Sequence, residues 1–138
     1  MKIYVASSFS LKEKVQSIYK MLQAYGHTIS KDWTNHKSTS PKESESDREL
    51  AEQYAKEDIQ GVTEADVFIL LTSETQGTGR YVELGAAIQS NLVSGRPQIY
   101  IINQKSKDPM FFYHPCVILK SSIEEVIEEI KKKSYNKV

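Results

Sequence analysis

Two carboxylates with different sequence surroundings are the residues best suited to chemistry in this chain. The first is Asp58, in a stretch over residues 48–64 whose apolar positions recur with a helical period. On a helical wheel it falls in the middle of an apolar arc formed by Ala51, Tyr54, Ala55, Val62 and Ala65. A carboxyl group that faces a core loses hydration, which raises its pKa and suits it to hold or give a proton near neutral pH. A buried Asp satisfied by backbone donors or by an ion pair fits the same pattern.

The second is Glu83, in the Gly-rich segment GTGRYVELGAA over residues 77–87. Its glycines permit a tight turn, and the helix predicted to follow offers free N–H groups and the positive end of its dipole, which should keep a nearby acid ionised. From this segment alone, an ordinary helix-stabilising acid is the simpler interpretation. With Asp58 close by, an ionised Glu83 predicts displacement at an acetal-like carbon, where one carboxylate attacks and the other protonates the leaving group or orients the substrate.

Alternating strand and helix patterns indicate how the two acids would meet. The alternation predicts an α/β fold: a three-layer, flavodoxin-like or Rossmann-like domain with a five-stranded parallel sheet in the order 2-1-3-4-5 and helices on both faces. Ligands bind such sheets beyond the carboxyl ends of the strands, so the loops after Ala6 and Leu71 should form the site. Short β-branched and aromatic runs predict strands over residues 2–6, 28–33, 66–71, 98–103 and 116–120.

A polar, Ser-rich segment over residues 34–47 lacks an apolar period and is predicted to be a long loop. A functional flap and a solvated connection are equally good interpretations, and His36 within the loop is expected to be exposed. Trp33, at the predicted end of the second strand, could stack on a planar ligand beneath this loop. An aromatic side chain that closes the core fits that position as well.

Three segments together resemble the nucleoside 2-deoxyribosyltransferase family, whose superfamily includes the 2′-deoxynucleoside 5′-phosphate N-hydrolases. They are KIYVASSFS, EDIQGVTEADVFILL and GTGRYVELGAA, which follow one another in the family's order within residues 2–103. The resemblance implies a small α/β enzyme, usually oligomeric, that breaks the N-glycosidic bond between 2-deoxyribose and a nucleobase.

The resemblance also implies a role for each matching residue. Glu83 matches the family's nucleophile, which would attack C1′ of the sugar and form a covalent deoxyribosyl intermediate. Asp58 matches the acid that orients the sugar or protonates the departing base, and Tyr4 matches an aromatic position whose hydroxyl poises the nucleophile. The implied substrate-binding residues lie in the loop after the first strand and in the Gly-rich turn: Ser7, Ser8, Phe9, Gly79 and Arg80.

Two features of the family pattern lack a clear counterpart in this chain. Family transferases complete each site with groups near the C-terminus of a neighbouring subunit, whereas the Lys-rich segment over residues 131–138 does not align with them. The donors available for a 5′-phosphate form only a loose set. The sequence therefore leaves two points open. One is whether the sugar passes to water or to a second base, and the other is whether a 5′-phosphate is needed. A nucleotide-binding or sensor module that uses the same pocket without turnover is the alternative from another functional class.

Composition narrows the remaining choices. With 138 residues and 15.7 kDa, the chain is the size of one domain, predicted over residues 1–138. Eighteen basic and eighteen acidic residues leave no net charge, which argues against binding to a nucleic acid polymer or a membrane. One cysteine and the absence of metal-ligand spacing predict no disulfide, no metal and no cofactor. We expect a cytoplasmic homodimer or larger homo-oligomer that acts on a small nucleoside or nucleotide, with the aromatic stretch 111–114 at a subunit interface or at the base pocket.

Overall fold

The computed structural model describes residues 1–74, 77–102 and 108–135. Within these ranges the strands are β1 (Lys2–Ala6), β2 (Thr28–Ile29), β3 (Val67–Leu71), β4 (Gln98–Ile102) and β5 (Val117–Lys120). The α-helices are α1 (Lys12–Ala24), α2 (Glu45–Glu64), α3 (Gly79–Ser94) and α4 (Ile123–Tyr135), with short 3₁₀ helices at Phe9–Leu11 and Met110–Tyr113. The strands form one parallel sheet in the order β2-β1-β3-β4-β5, which confirms the predicted fold class and strand order.

The centre of the sheet is β3. All five of its residues, VFILL, are buried, and the strand pairs with β1 on one side and β4 on the other. A continuous apolar run is what a parallel strand covered on both faces requires. Ala6 at the end of β1 pairs with Leu70 near the end of β3, so the loops that leave these two strands begin side by side.

The helices form layers on the two faces of the sheet. On one face α2 contacts α3, and beneath them Tyr4 of β1 stacks on Phe68 of β3 with ring centroids 5.9 Å apart. On the other face α1 and α4 are neighbours, with Lys131 Nζ 5.7 Å from the ring centroid of Tyr25. None of the described helices is long and apolar enough to cross a membrane.

Element boundaries differ from the sequence prediction mainly around the second strand. β2 contains Thr28–Ile29 rather than residues 28–33, because this edge strand has β1 as its single neighbour and the chain then turns away from the sheet. α2 begins at Glu45 rather than 48, since the Ser44 side chain caps it by accepting from the N–H of Asp47. β3 and β5 each begin one residue later than predicted. Residue 103, the predicted end of the fourth strand, lies outside the described residues.

Candidate active site

A pocket of about 250 Å³ opens at the carboxyl end of the sheet, beside the loops that follow β1 and β3. Eight of the nine residues predicted for the site line it, and the ninth, Tyr4, contacts Glu83 from below. The structure therefore brings together residues that are 79 positions apart in the sequence. The described residues that line the pocket are Ser7, Ser8, Phe9, Trp33, His36, Asp58, Gly77, Gly79, Arg80 and Glu83.

Glu83 and Tyr4 form a partly buried contact at the base of the site. Glu83 lies in the second turn of α3, and its Oε2 accepts a hydrogen bond from the hydroxyl of Tyr4. Tyr4 is fully buried, and this burial together with the neighbouring Glu83 raises the pKa of its hydroxyl, so the phenol remains a donor. The stack on Phe68 fixes the phenol ring in turn. One oxygen of a pocket-lining carboxyl group is thus held from within the core.

Burial, rather than the helix dipole, dominates the protonation of Glu83. The sequence predicted an ionised acid at the start of the helix. Instead, burial raises the pKa of Glu83 to about 7, although the hydrogen bond from Tyr4 opposes the shift, and the charge of Asp58 adds to it. Burial therefore opposes the effect of the helix N-terminus that the sequence analysis invoked to keep Glu83 ionised.

Asp58 faces the same pocket from α2, but it is less buried than the helical wheel suggested. In α2 the buried residues are Gly61 and Val62, and Ala55 of the predicted apolar arc is exposed. The carboxyl group consequently lies at the pocket rather than in the core, with 22% of its side chain exposed. Burial still raises the pKa of Asp58 to about 6, against the opposing charge of Lys31. Two carboxyl groups with raised pKa values thus face one pocket from two helices.

His36 lines the pocket although it was expected to be exposed in the long loop. Its imidazole stacks on the ring of Tyr54, with centroids 3.7 Å apart, and its Nε2 lies 3.5 Å from Asp58 Oδ1. Only 17% of its side chain is exposed. Burial and the charge of Lys31 lower the pKa of His36, so the neutral ring predominates at neutral pH. No periodic pattern marks this residue in the sequence, because its partners belong to another element.

The segment around His36 is folded by hydrogen bonds that involve side chains. Asp32 Oδ1 accepts from the backbone N–H of Thr34 at 2.8 Å and from its hydroxyl at 2.5 Å. Gln16 on α1 donates to the same hydroxyl at 3.0 Å, and the N–H of Lys37 donates to the hydroxyl of Tyr54 at 3.0 Å. These contacts attach residues 32–37 to α1 and α2. This part of the predicted loop is therefore an ordered segment that lines the pocket.

Phe9 and Trp33 form an apolar wall, with ring centroids 6.3 Å apart and planes inclined by 45°. The Trp33 indole is 6% exposed, and its Nε1–H donates to the carbonyl of Val5 at 2.6 Å, so most of the ring belongs to the core. Phe9 is 51% exposed in the 3₁₀ helix after β1. The Trp33 ring therefore closes the core and also reaches the pocket, and its stacking on a ligand stays a prediction.

The loop after β1 contributes two buried serines to the pocket. The hydroxyl of Ser7 donates to the carbonyl of Leu71 at 3.0 Å, which ties the end of β1 to the end of β3. The hydroxyl of Ser8 shares a hydrogen bond with that of Ser10, with the two oxygens 2.8 Å apart. Both serines thus help to shape the loop as well as to line the pocket.

The Gly-rich turn contributes the pocket's guanidinium. Arg80 is 4% exposed, and its side chain folds back so that Nη1 donates to the carbonyl of Gly77 at 2.6 Å and Nη2 donates to the hydroxyl of Tyr81 at 3.2 Å. Gly77 has φ +153°, and a Cβ there would lie 3.2 Å from the same Nη1. The backbone conformation of residue 77 therefore favours glycine.

The charged groups that line the pocket are two carboxyls and one guanidinium, with an imidazole beside Asp58. Among the described residues, no three His, Cys, Asp or Glu side chains converge as the ligands of a metal ion would. The arrangement can supply a nucleophilic carboxylate, a second carboxyl that gives or takes a proton, and a phenol that orients the first.

No protein-family model and no curated protein sequence matches this chain. Among solved structures it is similar to the Clostridium botulinum CMP N-glycosidase BcmB, with a TM-score of 0.60. The match covers 95% of this chain and 99% of that chain, at 15% sequence identity. At this identity the likeness is one of fold.

Proposed function

We propose that this protein cleaves the N-glycosidic bond of a 2′-deoxynucleoside or its 5′-monophosphate through a covalent deoxyribosyl intermediate on Glu83. The observation that carries the proposal is the contact of Tyr4 with Glu83 in a pocket that Asp58 also lines. The three segments that resemble deoxyribosyltransferases, and a fold shared with an N-glycosidase, support the same chemistry.

In the first step a Glu83 oxygen attacks C1′ of the sugar. The C1′–N bond breaks as the C1′–O bond forms, and the bonding electron pair leaves with the base. Asp58, in its protonated form, gives its proton to the departing base, which leaves as a neutral molecule. Tyr4 remains hydrogen-bonded to Glu83 and keeps the attacking carboxylate oriented.

In the second step the sugar passes from Glu83 to an acceptor. Water attacks C1′, the ester bond breaks, and Glu83 departs as a carboxylate while the ionised Asp58 takes the proton of the water. A second base could react in the same way, giving its proton to Asp58 as its ring nitrogen bonds to C1′. Two successive displacements at one carbon retain the configuration at C1′.

This mechanism requires that the two carboxyl groups share one proton. Glu83 must be ionised to attack, and Asp58 must be protonated to assist the leaving base. With pKa values of about 7 for Glu83 and about 6 for Asp58, the pair holds a single proton mainly between these two values, and this proton resides mainly on Glu83. The reactive form, with ionised Glu83 and protonated Asp58, is therefore the minor one of the two singly protonated forms, and the rate follows its population. Below the interval both carboxyl groups are protonated, and above it both are ionised. A bell-shaped rate profile with its maximum between pH of about 6 and about 7 is therefore expected.

The other lining residues suggest how a nucleotide would lie. We propose that Phe9 and the reachable part of Trp33 contact the base, because they form the apolar wall. The serines of the β1 loop and the turn of Arg80 are the candidate partners of the sugar and of a 5′-phosphate. The resembled family acts on deoxyribose, whereas the structural neighbour acts on CMP, so both sugars belong in the test.

The test is to incubate the protein with deoxynucleosides, their 5′-monophosphates and CMP, and to measure free base by chromatography. We expect release of base from at least one deoxy substrate, and a loss of about 10³-fold or more in Glu83→Ala. Glu13→Ala, at an exposed glutamate of α1, is the matched control and should retain the full rate. A second free base in the mixture distinguishes exchange from hydrolysis, because exchange alone yields a new nucleoside. Tight binding without release of base would contradict the proposal and favour the sensor module.

We propose in addition that the protein works as a homodimer or larger homo-oligomer. Large apolar side chains are more than half exposed on α3 and on the 3₁₀ helix before β5, namely Val82, Leu92, Val93, Met110, Phe111 and Tyr113. Exposed apolar surface of this kind is typical of protein interfaces. Sedimentation equilibrium should give a mass that is a multiple of 15.7 kDa, and a monomer at micromolar concentration would contradict this proposal.

A further inference from the structure

The backbone of α2 approaches the sheet at Gly61 more closely than a side chain would allow. A Cβ at this residue would lie 2.5 Å from Cβ of Lys31. It would also lie 3.2 and 3.3 Å from Cδ2 and Cε2 of the Tyr4 ring. Lys31 Cβ is bonded directly to the backbone and cannot rotate away, so any side chain at residue 61 must move the helix or the chain beneath it.

The same turn is the principal anchor of α2. Gly61 and Val62 are the residues of this helix that are buried, and the hydroxyl of Ser30 donates to the carbonyl of Gly61 at 2.7 Å. Most of the preceding helix, from Glu45 onwards, is exposed or half-buried. The separation between α2 and the sheet is consequently fixed at this point.

Asp58 lies on α2, in the helical turn that ends at Gly61. The two residues are three positions apart on one helix and therefore lie on the same face, one above the other. Gly61 packs against the Tyr4 ring, and the hydroxyl of that ring holds Glu83. Gly61 thus packs against the residue that supports Glu83, and it lies one helical turn after Asp58.

We propose that Gly61 is a positioning residue for the N-glycosidic cleavage, because its close approach to Tyr4 and Lys31 fixes the placement of Asp58 relative to the Tyr4–Glu83 pair. This inference rests on the proposed function, since it assigns Asp58 and Glu83 to one reaction. It predicts that the contact at Gly61 affects the rate of bond cleavage more than the binding of the nucleotide. Phe9 and Arg80, which would contact the nucleotide, belong to other elements.

The first experiment compares two glycine-to-alanine changes within helices. Gly61→Ala should move α2 away from Tyr4 and lower kcat by about 100-fold, with a much smaller change in KM, as expected for misplacement of a reacting group by about 1 Å. Gly85→Ala on α3 is the matched control, because it is exposed and no atom lies within 4 Å of its added Cβ. It should retain the wild-type kcat.

A second change tests whether the effect arises from the contact itself. Lys31→Gly removes the atom that an alanine at residue 61 would meet first, so the double variant should recover at least about tenfold of the kcat lost in Gly61→Ala. The Lys31 ammonium also pairs with Glu57 at 2.7 Å, so Lys31→Gly alone provides the reference for the cycle. Equal losses in Gly61→Ala and in the double variant, or failure of both to fold, would overturn the inference.

A carbon-13 NMR titration of the Asp58 carboxyl, in the protein without ligand, separates this inference from the proposed function. Displacement of α2 exposes Asp58, so its pKa should fall from about 6 toward its ordinary value of 3.8 in Gly61→Ala and should remain unchanged in Gly85→Ala. The substitution replaces none of the titratable and charged groups that face Asp58. These groups are Lys31, His36, Glu57, Glu83, Tyr4 and Tyr19.

The two claims can fail separately. An unchanged Asp58 titration together with a wild-type kcat in Gly61→Ala would overturn the positioning role and leave the proposed function in place. A lowered Asp58 pKa in a protein that releases no base from any substrate would support the role of Gly61 in placing Asp58 and overturn the proposed function instead.

Discussion

The two walls of the candidate site hold their carboxyl groups in different ways. On the α3 wall, Glu83 is fixed by a phenol that is itself fully buried and stacked in the core. On the α2 wall, Asp58 retains 22% exposure of its side chain and lies on a helix anchored through Gly61 and Val62. Glu83 is therefore held by the core of the domain, whereas the placement of Asp58 depends on the anchor of its helix.

The largest effect expected from the α2 wall is that of Asp58→Asn. An amide cannot give a proton, so base release should slow by about 10²- to 10⁴-fold while nucleotide binding changes much less. The loss should be smaller for bases that leave readily without a proton. Steady-state kinetics on two substrates with different leaving bases would check this.

Glu57→Gln is the control for Asp58→Asn. Glu57 is the residue before Asp58 on α2, and its carboxylate pairs with Lys31, which follows β2. The control should leave base release nearly unchanged. Unchanged turnover in Asp58→Asn itself would remove Asp58 from the mechanism.

Glu83→Gln tests how much the ionised carboxylate of Glu83, on the α3 wall, destabilises the folded protein. The pKa of Glu83 is about 7 in the folded protein against an ordinary value of 4.5, so the folded state binds this proton more tightly than the unfolded state. Stability should therefore decrease as pH rises from about 5 to about 8. The variant, which cannot ionise, should be more stable than the wild type by about 2–3 kcal/mol at high pH.

Urea unfolding at two pH values measures this difference. Near the ordinary pKa of 4.5 and below, Glu83 is protonated in both states, so the advantage of Glu83→Gln should nearly vanish. Asp58→Asn should show a gain of similar size, because burial raises the pKa of Asp58 from 3.8 to about 6. Equal stability of Glu83→Gln and the wild type at high pH would contradict the burial of the ionised Glu83.

A smaller effect is expected from Tyr4→Phe, which removes the hydroxyl and retains the stacked ring. The hydrogen bond from Tyr4 lowers the pKa of Glu83, so its loss should raise that pKa, move the alkaline limb of the rate profile to higher pH and lower the maximum rate. Near neutral pH the rate should fall by about 10- to 100-fold, as expected for the loss of one hydrogen bond to a charged group. Tyr25→Phe, at an exposed tyrosine outside the site and the proposed interface, is the control. An unmoved alkaline limb would show that Tyr4 does not set the ionisation of Glu83.

Local patterns were sufficient to predict the sheet and the edge at which the site lies. The apolar run over residues 66–71 predicts a strand, and the loops after Ala6 and Leu71 follow from the predicted strand order. The depth of each acid was not predictable in the same way. Glu83 is buried because Tyr4, 79 residues away, lies against it, and this depends on how β1 and α3 pack.

For Asp58, on the α2 wall, the sequence analysis predicted more burial than the structure shows. The helical wheel predicts which side of α2 Asp58 occupies, but its depth depends on how much of the helix the rest of the protein covers, and Ala55 on the same arc is exposed. His36 was missed because its stack on Tyr54 joins a non-periodic segment to a helix. Tertiary contacts of this kind leave no periodic signal in the sequence.

The most direct measurement is the intact mass of the protein mixed with a cleaved substrate and quenched within one turnover. We expect a species heavier by one deoxyribosyl group, or by its 5′-phosphate form, with the added mass on the peptide that contains Glu83. The species should be absent from Glu83→Gln. Fast release of base without any adduct, or release that persists in Glu83→Gln, would contradict covalent catalysis by Glu83.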